Sequence, residues 1–223
     1  MPGQKRRAGR PVVRLWAWAL SVALASFAMS GLYFFIRQFM KDGIWRFDLG
    51  LVNKSLGTAA LFLLALSMVL TGAAYFSRGS AKRLAYRKHF GLVGFWTALA
   101  HAAVTHFLLP AVGLAAERKA EALNSDWPGI AALVLFGAMA FVSNAEVKGR
   151  LGGEAWRKLL RYGGYAGLVL AAGHAALLKW ASWASYFRTF HPVLPSLSLP
   201  LAVFAASAVV LRLAVWISER RRP

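Results

Sequence analysis

Residues 55–76 read SLGTAALFLLALSMVLTGAAYF and contain no charged side chain. A helix needs about 20 consecutive apolar residues to cross the hydrocarbon core of a bilayer, and this run is long enough for one crossing. Lys54 stands immediately before it and Arg78 shortly after it. An apolar run between basic residues is typical of a membrane-spanning helix.

Six runs of this kind account for most of the 223 residues. Among the charged residue types, only Lys179 and Arg212 occur inside them, and both lie near an end, where a long side chain can reach the interface. We therefore predict an all-α, polytopic membrane protein, a bundle of six transmembrane helices. The approximate spans are residues 15–35, 55–76, 90–109, 127–143, 162–183 and 197–217.

The overall composition supports the same class of protein. Hydrophobic residues make up 58% of the chain, yet its formal net charge is +19. A soluble domain this apolar would lack the polar surface to cover itself. A soluble nucleic-acid binder would explain the charge but not the long uncharged runs. We expect a lipid bilayer as the partner, and no nucleic acid.

The basic residues predict the orientation. The N-terminal tail, the segments between spans two and three and between spans four and five, and the C-terminus together hold 18 of them. The other segments hold 8. Because basic residues concentrate on the cytoplasmic side, both termini are predicted to be cytoplasmic.

This orientation defines three regions. They are a basic cytoplasmic tail over residues 1–14, a six-span domain over 15–217 and a second basic tail over 218–223. A cleaved signal peptide at the first span is the alternative, but its apolar run exceeds the 7–15 residues of a signal core. The longest loop, residues 36–54, is too short for a second folded unit.

Two histidines lie deep inside predicted spans. His101 is about 16 Å from Phe90, and His174 is about 18 Å from Tyr162, the residues at which their spans begin on the cytoplasmic side. Two imidazoles at nearly one depth favour a shared ligand, and neutral imidazole is an axial ligand of haem iron. The chain has no cysteine, and no acid stands near either histidine, which disfavours zinc and carboxylate di-iron sites. A hydrogen bond between helices is the alternative role for each imidazole.

The two spans also share a spacing of glycines. In both spans the histidine is preceded at the same distances by a basic residue and two glycines. The third span has Lys88, Gly91, Gly94 and His101, and the fifth has Arg161, Gly164, Gly167 and His174. A residue seven positions back lies about 20° from the same helix face. Gly94 and Gly167 would then leave space for a cofactor two turns below each histidine, or would serve helix packing instead.

The other three histidines are weaker candidates. His106 is five residues after His101, hence about 140° around the helix, and is expected to face elsewhere. His89 falls in a basic cytoplasmic segment, and His191 falls in a loop on the opposite side. We expect each of them to be a loop or interface residue.

The segments before the two deep histidines resemble one known family. Residues 87–95, RKHFGLVGF, followed by His101, resemble the third helix of the ferric reductase-like transmembrane domain, and most of all its bacterial MsrQ (YedZ) branch. Residues 156–161, WRKLLR, followed by His174, resemble the fifth helix. The family commonly has a further histidine where Leu160 or Arg161 stands here, so the resemblance extends to one haem and leaves a second in question.

The resemblance implies a function. It implies a multi-pass protein of the bacterial inner membrane that binds b-type haem through His101 and His174. Such a protein is the electron-transfer subunit of an oxidoreductase. Its electrons would come from quinol or a flavoprotein, because the chain carries no flavin or NAD domain, and would pass to a periplasmic reductase or another exoplasmic acceptor. A haem-free membrane scaffold or accessory subunit with the same fold is the alternative.

Overall fold

The computed structural model describes residues 12–77, 79, 83–114 and 120–221, and only the backbone of residues 120–125 and 145. These described residues form helices and loops without a β-strand, which confirms the predicted all-α class. The helices are α1 (Val12–Asp42), α2 (Leu49–Phe76), α3 (Leu84–Ala111), α4 (Ala120–Val142), α5 (Ala145–Leu151), α6 (Gly153–Thr189) and α7 (Ser198–Arg220).

Four helices, α1, α2, α3 and α7, are long and apolar enough to cross a membrane. The predicted fourth span falls in α4, whose apolar part, Asp126–Val142, is shorter. The predicted fifth span falls in α6, which has 37 residues but is less apolar because of its glycines, tyrosines and His174. Large apolar side chains on the outside of the bundle, such as Phe141 at 76% exposure, suit a lipid bilayer.

The helices extend further than the apolar runs. The predicted loop over residues 36–54 shrinks to residues 43–48, because α1 continues to Asp42 and α2 begins at Leu49. The Asp48 carboxylate caps α2 by accepting a hydrogen bond from Leu51 N at 2.7 Å. Of the two predicted tails, residues 1–11 and 222–223 lie outside the described residues, and α7 continues to Arg220.

Helix α2 lies at the centre of the bundle, in contact with α1, α3, α6 and α7. One side contributes to a core shared with α4, α6 and α7, where Leu64, Phe136 and Leu168 are buried. The other side packs Leu63 against Phe90 and Val93 of α3 and Ala19 of α1. Residues 55–76 are therefore the clearest apolar run of the sequence and also form most of the central helix of the bundle.

Candidate functional site

A cavity of about 1080 Å³ opens between the helices at the end where α1 passes into α2. It extends inward as far as Leu64 and Phe136. His101 of α3 and His174 of α6 both line it, so the structure brings the two sequence-predicted ligands to one site. Its volume is slightly above the range of about 300–1,000 Å³ that is usual for ligand and cofactor pockets.

His101 is oriented by the buried Asn53 of α2. Its Nδ1 lies 2.8 Å from Asn53 Oδ1 and 3.0 Å from Asn53 O, and both oxygens are acceptors. The Asn53 amide NH2 in turn donates to Thr105 Oγ1 at 2.8 Å. Nδ1 of His101 therefore carries the proton, and in the neutral ring the lone pair belongs to Nε2. Metal-binding histidines commonly have their second nitrogen held in this way.

Each histidine ring packs on a glycine of a neighbouring helix. A Cβ at Gly57 of α2 would lie 3.0 Å from His101 Cε1, and a Cβ at Gly129 of α4 would lie 3.0 Å from His174 Cγ and Nδ1. Any larger residue would displace these rings. His101 thus lies level with Gly57, about 12 Å from the start of α2 and about 8 Å from its middle, in the half of the helix that follows the α1–α2 loop.

Gly57, Gly129 and Asn53 are the site residues that the sequence analysis missed. Asn53 and Gly57 occupy the first three turns of α2, four residues apart, and so share a face of that helix. Gly129 follows Pro128 inside α4. Two sequence features could have indicated these residues. One is a polar residue one helical turn before a glycine, Asn53 and Gly57, and the other is the Pro128-Gly129 pair inside an apolar helix.

The glycines that the sequence did single out have another role. A Cβ at Gly94 would lie 3.0 Å from Leu64 Cγ, and a Cβ at Gly167 would lie 3.0 Å from Phe136 Cζ. Neither glycine lines the cavity. The expectation that they leave space for a cofactor is therefore not met, because side chains of α2 and α4 fill both positions.

His106 lines the cavity as well, contrary to the expectation that it faces elsewhere. Residues Val104–Leu108 form a π-helical turn, which follows the α-helical stretch that ends at Ala103. A π turn places residues five apart on one face, so the rotation expected of an α-helix does not apply. Pro110 supplies the local reason, because it cannot donate to the carbonyl of His106 and its ring would clash there.

Basic side chains surround the mouth of the cavity. Arg37, Lys54 and Lys179 line it, and Lys179 is half-buried although the sequence predicted that it reaches the interface. Arg37 Nε donates to Leu194 O at 3.1 Å, which holds this guanidinium at the cavity. Lys41 and Arg46 line the cavity too, so its described lining holds five basic residues against three acidic ones, Asp42, Asp48 and Asp126. A ligand with carboxylates would find positive charge here.

The last two histidines lie outside the cavity lining. His89 is buried in the first turn of the α-helical part of α3, with Nδ1 3.3 Å from Ala85 O and its ring edge-on to Trp16 at 4.9 Å. His191 is exposed in the loop between α6 and α7. Both have a structural setting that requires no ligand.

No family model matches this chain, and no curated protein matches it significantly. Among the described residues, no group of three or more histidines, cysteines, aspartates or glutamates is placed to hold a metal ion. A haem needs only one or two protein ligands, and the cavity lining contains three imidazoles, those of His101, His106 and His174. The resemblance to the ferric reductase-like domain therefore stays a prediction from the sequence.

Proposed function

We propose that this chain is a membrane protein that binds one b-type haem in the cavity and carries electrons across the bilayer. The observation that supports it is the presence of His101 and His174, from two different helices, in the lining of one cavity. Both rings are tightly packed, and His101 is held in the tautomer that a metal ligand needs.

The rest of the lining fits such a group. Leu61, Leu64, Phe136 and Leu201 form an apolar wall for the faces of a macrocycle. Arg37, Lys54 and Lys179 would hold its carboxylates at the mouth. When bound, haem supplies reversible one-electron chemistry, and the histidines, the apolar wall and the cations are this chain's means of tuning it.

In this proposal the chain spans the membrane six times with both termini in the cytoplasm. The four long apolar helices support the membrane setting, and α4 and α6 would provide the two remaining spans. The cavity mouth then faces the exoplasm, close to an acceptor such as a periplasmic reductase. Quinol or a flavoprotein would be the donor, in the inner membrane of a bacterium, and the chain would be the electron-transfer subunit of an oxidoreductase.

A haem-free scaffold is the second candidate function. The filled positions at Gly94 and Gly167 favour it, because the equal spacing of these glycines is then explained by helix packing alone. In this case Asn53 and the two histidines would serve only to join helices.

A haem spectrum separates the two candidates. The protein is purified in detergent after expression with added haem precursor, and a reduced-minus-oxidised spectrum is recorded. We expect a haem b signal that His101→Ala and His174→Ala abolish and that the control His191→Ala leaves unchanged. A wild-type protein that stays folded and shows no haem b band would refute the haem proposal and support the scaffold.

A further inference from the structure

A cluster of arginines lies at the end of the bundle opposite the cavity mouth. Arg87 of α3, Arg161 of α6 and Arg212 of α7 are all within electrostatic range of the hydroxyl of Tyr165. All four side chains are half-buried. We call these four residues the arginine cluster.

Close packing holds the helices together at this level. Ser67 Oγ of α2 donates to Arg87 O at 2.8 Å. Gly164, next to Tyr165, lies against Met68, and a Cβ at Gly72 would lie 2.8 Å from Cβ of Leu211, next to Arg212. The positions of the arginines thus follow from the packing of three helices, α3, α6 and α7, around α2.

No carboxylate among the described residues lies within salt-bridge distance of the arginine cluster. No salt bridge or side-chain hydrogen bond involves Arg87, Arg161 or Arg212 in the described ranges. Two glutamates at this end of the bundle already have partners. Glu146 forms a salt bridge with Arg150, and Glu154 forms one with Lys158. Like charges that are partly removed from water repel one another, so this arrangement favours an added anion.

Tyr165 provides an independent sign of a ligand. Its hydroxyl is buried and has no hydrogen-bond partner in the part of the chain that the structure describes. Buried hydroxyls normally have a partner, because leaving one unsatisfied is costly. The three guanidinium groups within electrostatic range of this hydroxyl are donors only, so a partner for any of these groups here has to be an acceptor.

Open space adjoins the arginine cluster at Arg87. A cavity of about 160 Å³ is lined by Arg87, Lys88, Ser67 and Trp156 among others, whereas Tyr165, Arg161 and Arg212 lie outside its lining. A small anion in this cavity would therefore meet Arg87 first. Tyr162 and Trp216, close in sequence to Arg161 and Arg212, are 69% and 44% exposed, as interfacial aromatic side chains are.

We propose that the arginine cluster binds the phosphate group of an anionic phospholipid. The site lies between helices at the depth of the interfacial aromatic residues, where lipid headgroups are found and where basic pockets between transmembrane helices recognise them. By the charge distribution of the chain, this is the cytoplasmic leaflet. The proposal does not depend on haem or on the histidine cavity.

The test compares lipids on the purified full chain in detergent. Native mass spectrometry and thermal unfolding are measured with phosphatidylglycerol, with phosphatidylcholine and with inorganic phosphate. We expect phosphatidylglycerol to be retained and to raise the melting temperature, and the other two to have little effect. Arg212→Gln should weaken its binding about fivefold, and the double variant Arg161→Gln/Arg212→Gln about 25-fold.

Two further variants separate binding from folding. Arg212→Lys keeps the charge and should keep the lipid, whereas Tyr165→Phe removes one donor and should weaken lipid binding with the fold intact. Arg220→Gln is the matched control, because Arg220 is exposed two turns further along α7 and stacks on Trp216 at 3.7 Å. It should bind like the wild type.

Three results would overturn the proposal. The first is wild-type affinity for phosphatidylglycerol in the double variant or in Tyr165→Phe. The second is equal stabilisation by phosphatidylglycerol and phosphatidylcholine. The third is a shift with inorganic phosphate as large as that with phosphatidylglycerol, which would assign the site to a soluble anion.

Discussion

Gly129→Ala tests directly how His174 is held. The added Cβ would lie 3.0 Å from Cγ and Nδ1 of His174 and 3.2 Å from its Cε1. Carbon atoms in contact normally lie about 3.5–4.0 Å apart, so the ring has to retreat by about 0.5 Å. Because Cγ does not move when the ring rotates about χ2, relief requires a change of χ1 or a shift of α6 against α4.

The size of the effect follows from two opposing contributions. Overpacking costs about 1–3 kcal/mol, and alanine recovers up to about 1 kcal/mol of helix propensity. We expect a net loss of stability and a melting temperature lower by about 2–4 °C for each kcal/mol lost. Haem affinity should fall by about tenfold or more, because metal–ligand distances tolerate only about 0.2 Å.

Gly173→Ala is the matched control for this variant. Gly173 precedes His174 in α6, and a Cβ there would meet no atom within 4 Å. Replacing Gly173 by alanine should therefore give a melting temperature equal to or slightly above that of the wild type, and the same haem affinity as the wild type. Equal melting temperatures and equal haem affinities of Gly129→Ala and Gly173→Ala would refute the reasoning, because the contact of Gly129 with the ring would then carry no energy.

Three further predictions follow from other contacts. Asn53→Ala removes the acceptor that orients His101 and should lower haem affinity about 10–100-fold in a haem titration. Lys179→Met removes a half-buried cation from the cavity, so the oxidised haem is stabilised relative to the reduced haem and the midpoint potential in a potentiometric titration should fall. Gly72→Ala forces a Cβ against the rigid base of Leu211 and should destabilise the protein by about 1–3 kcal/mol, measured as a lower melting temperature.

Each of these predictions has a control. Thr105→Val keeps Asn53 Oδ1 in place and should affect haem affinity less than Asn53→Ala does. Arg188→Gln changes an exposed charge near the end of α6, outside the cavity lining, and should leave the potential unchanged. In Gly164→Ala the added Cβ meets the flexible thioether ends of Met68 and Met139, so this variant should be milder than Gly72→Ala. The opposite order in any pair would contradict the contact assigned to it.

Much of the fold was predictable because it depends on local properties of the chain. Long uncharged runs predicted helices, and the structure has a helix at each predicted span, four of them long and apolar enough to cross a membrane. The predicted limits were wrong at the ends, where α1 continues to Asp42, because a helix can extend past its apolar part into the interface. The count of six spans stays a prediction.

The candidate site was predictable only in part. His101 and His174 were found because a polar residue deep in an apolar helix is conspicuous. The face of His106 was mispredicted, since the π-helical turn at Val104–Leu108 changes the rotation per residue. For Gly94 and Gly167 the sequence left two roles open, cofactor space and helix packing, and the contacts with Leu64 and Phe136 favour packing. Their spacing shows that they share a face with the histidines but not what lies opposite that face.

The sequence by itself determined that the chain is helical, that its helices suit a bilayer and that two imidazoles lie deep within them. Hydropathy and charge belong to single residues and add up along one helix, so they can be read without knowing the neighbours. Only the tertiary structure decided that His101 and His174 share a cavity and that Asn53, Gly57 and Gly129 hold them. These are contacts between different helices, and Asn53 is 48 residues from His101 along the chain. Helix α2 contributes to the site because it lies between α1, α3, α6 and α7.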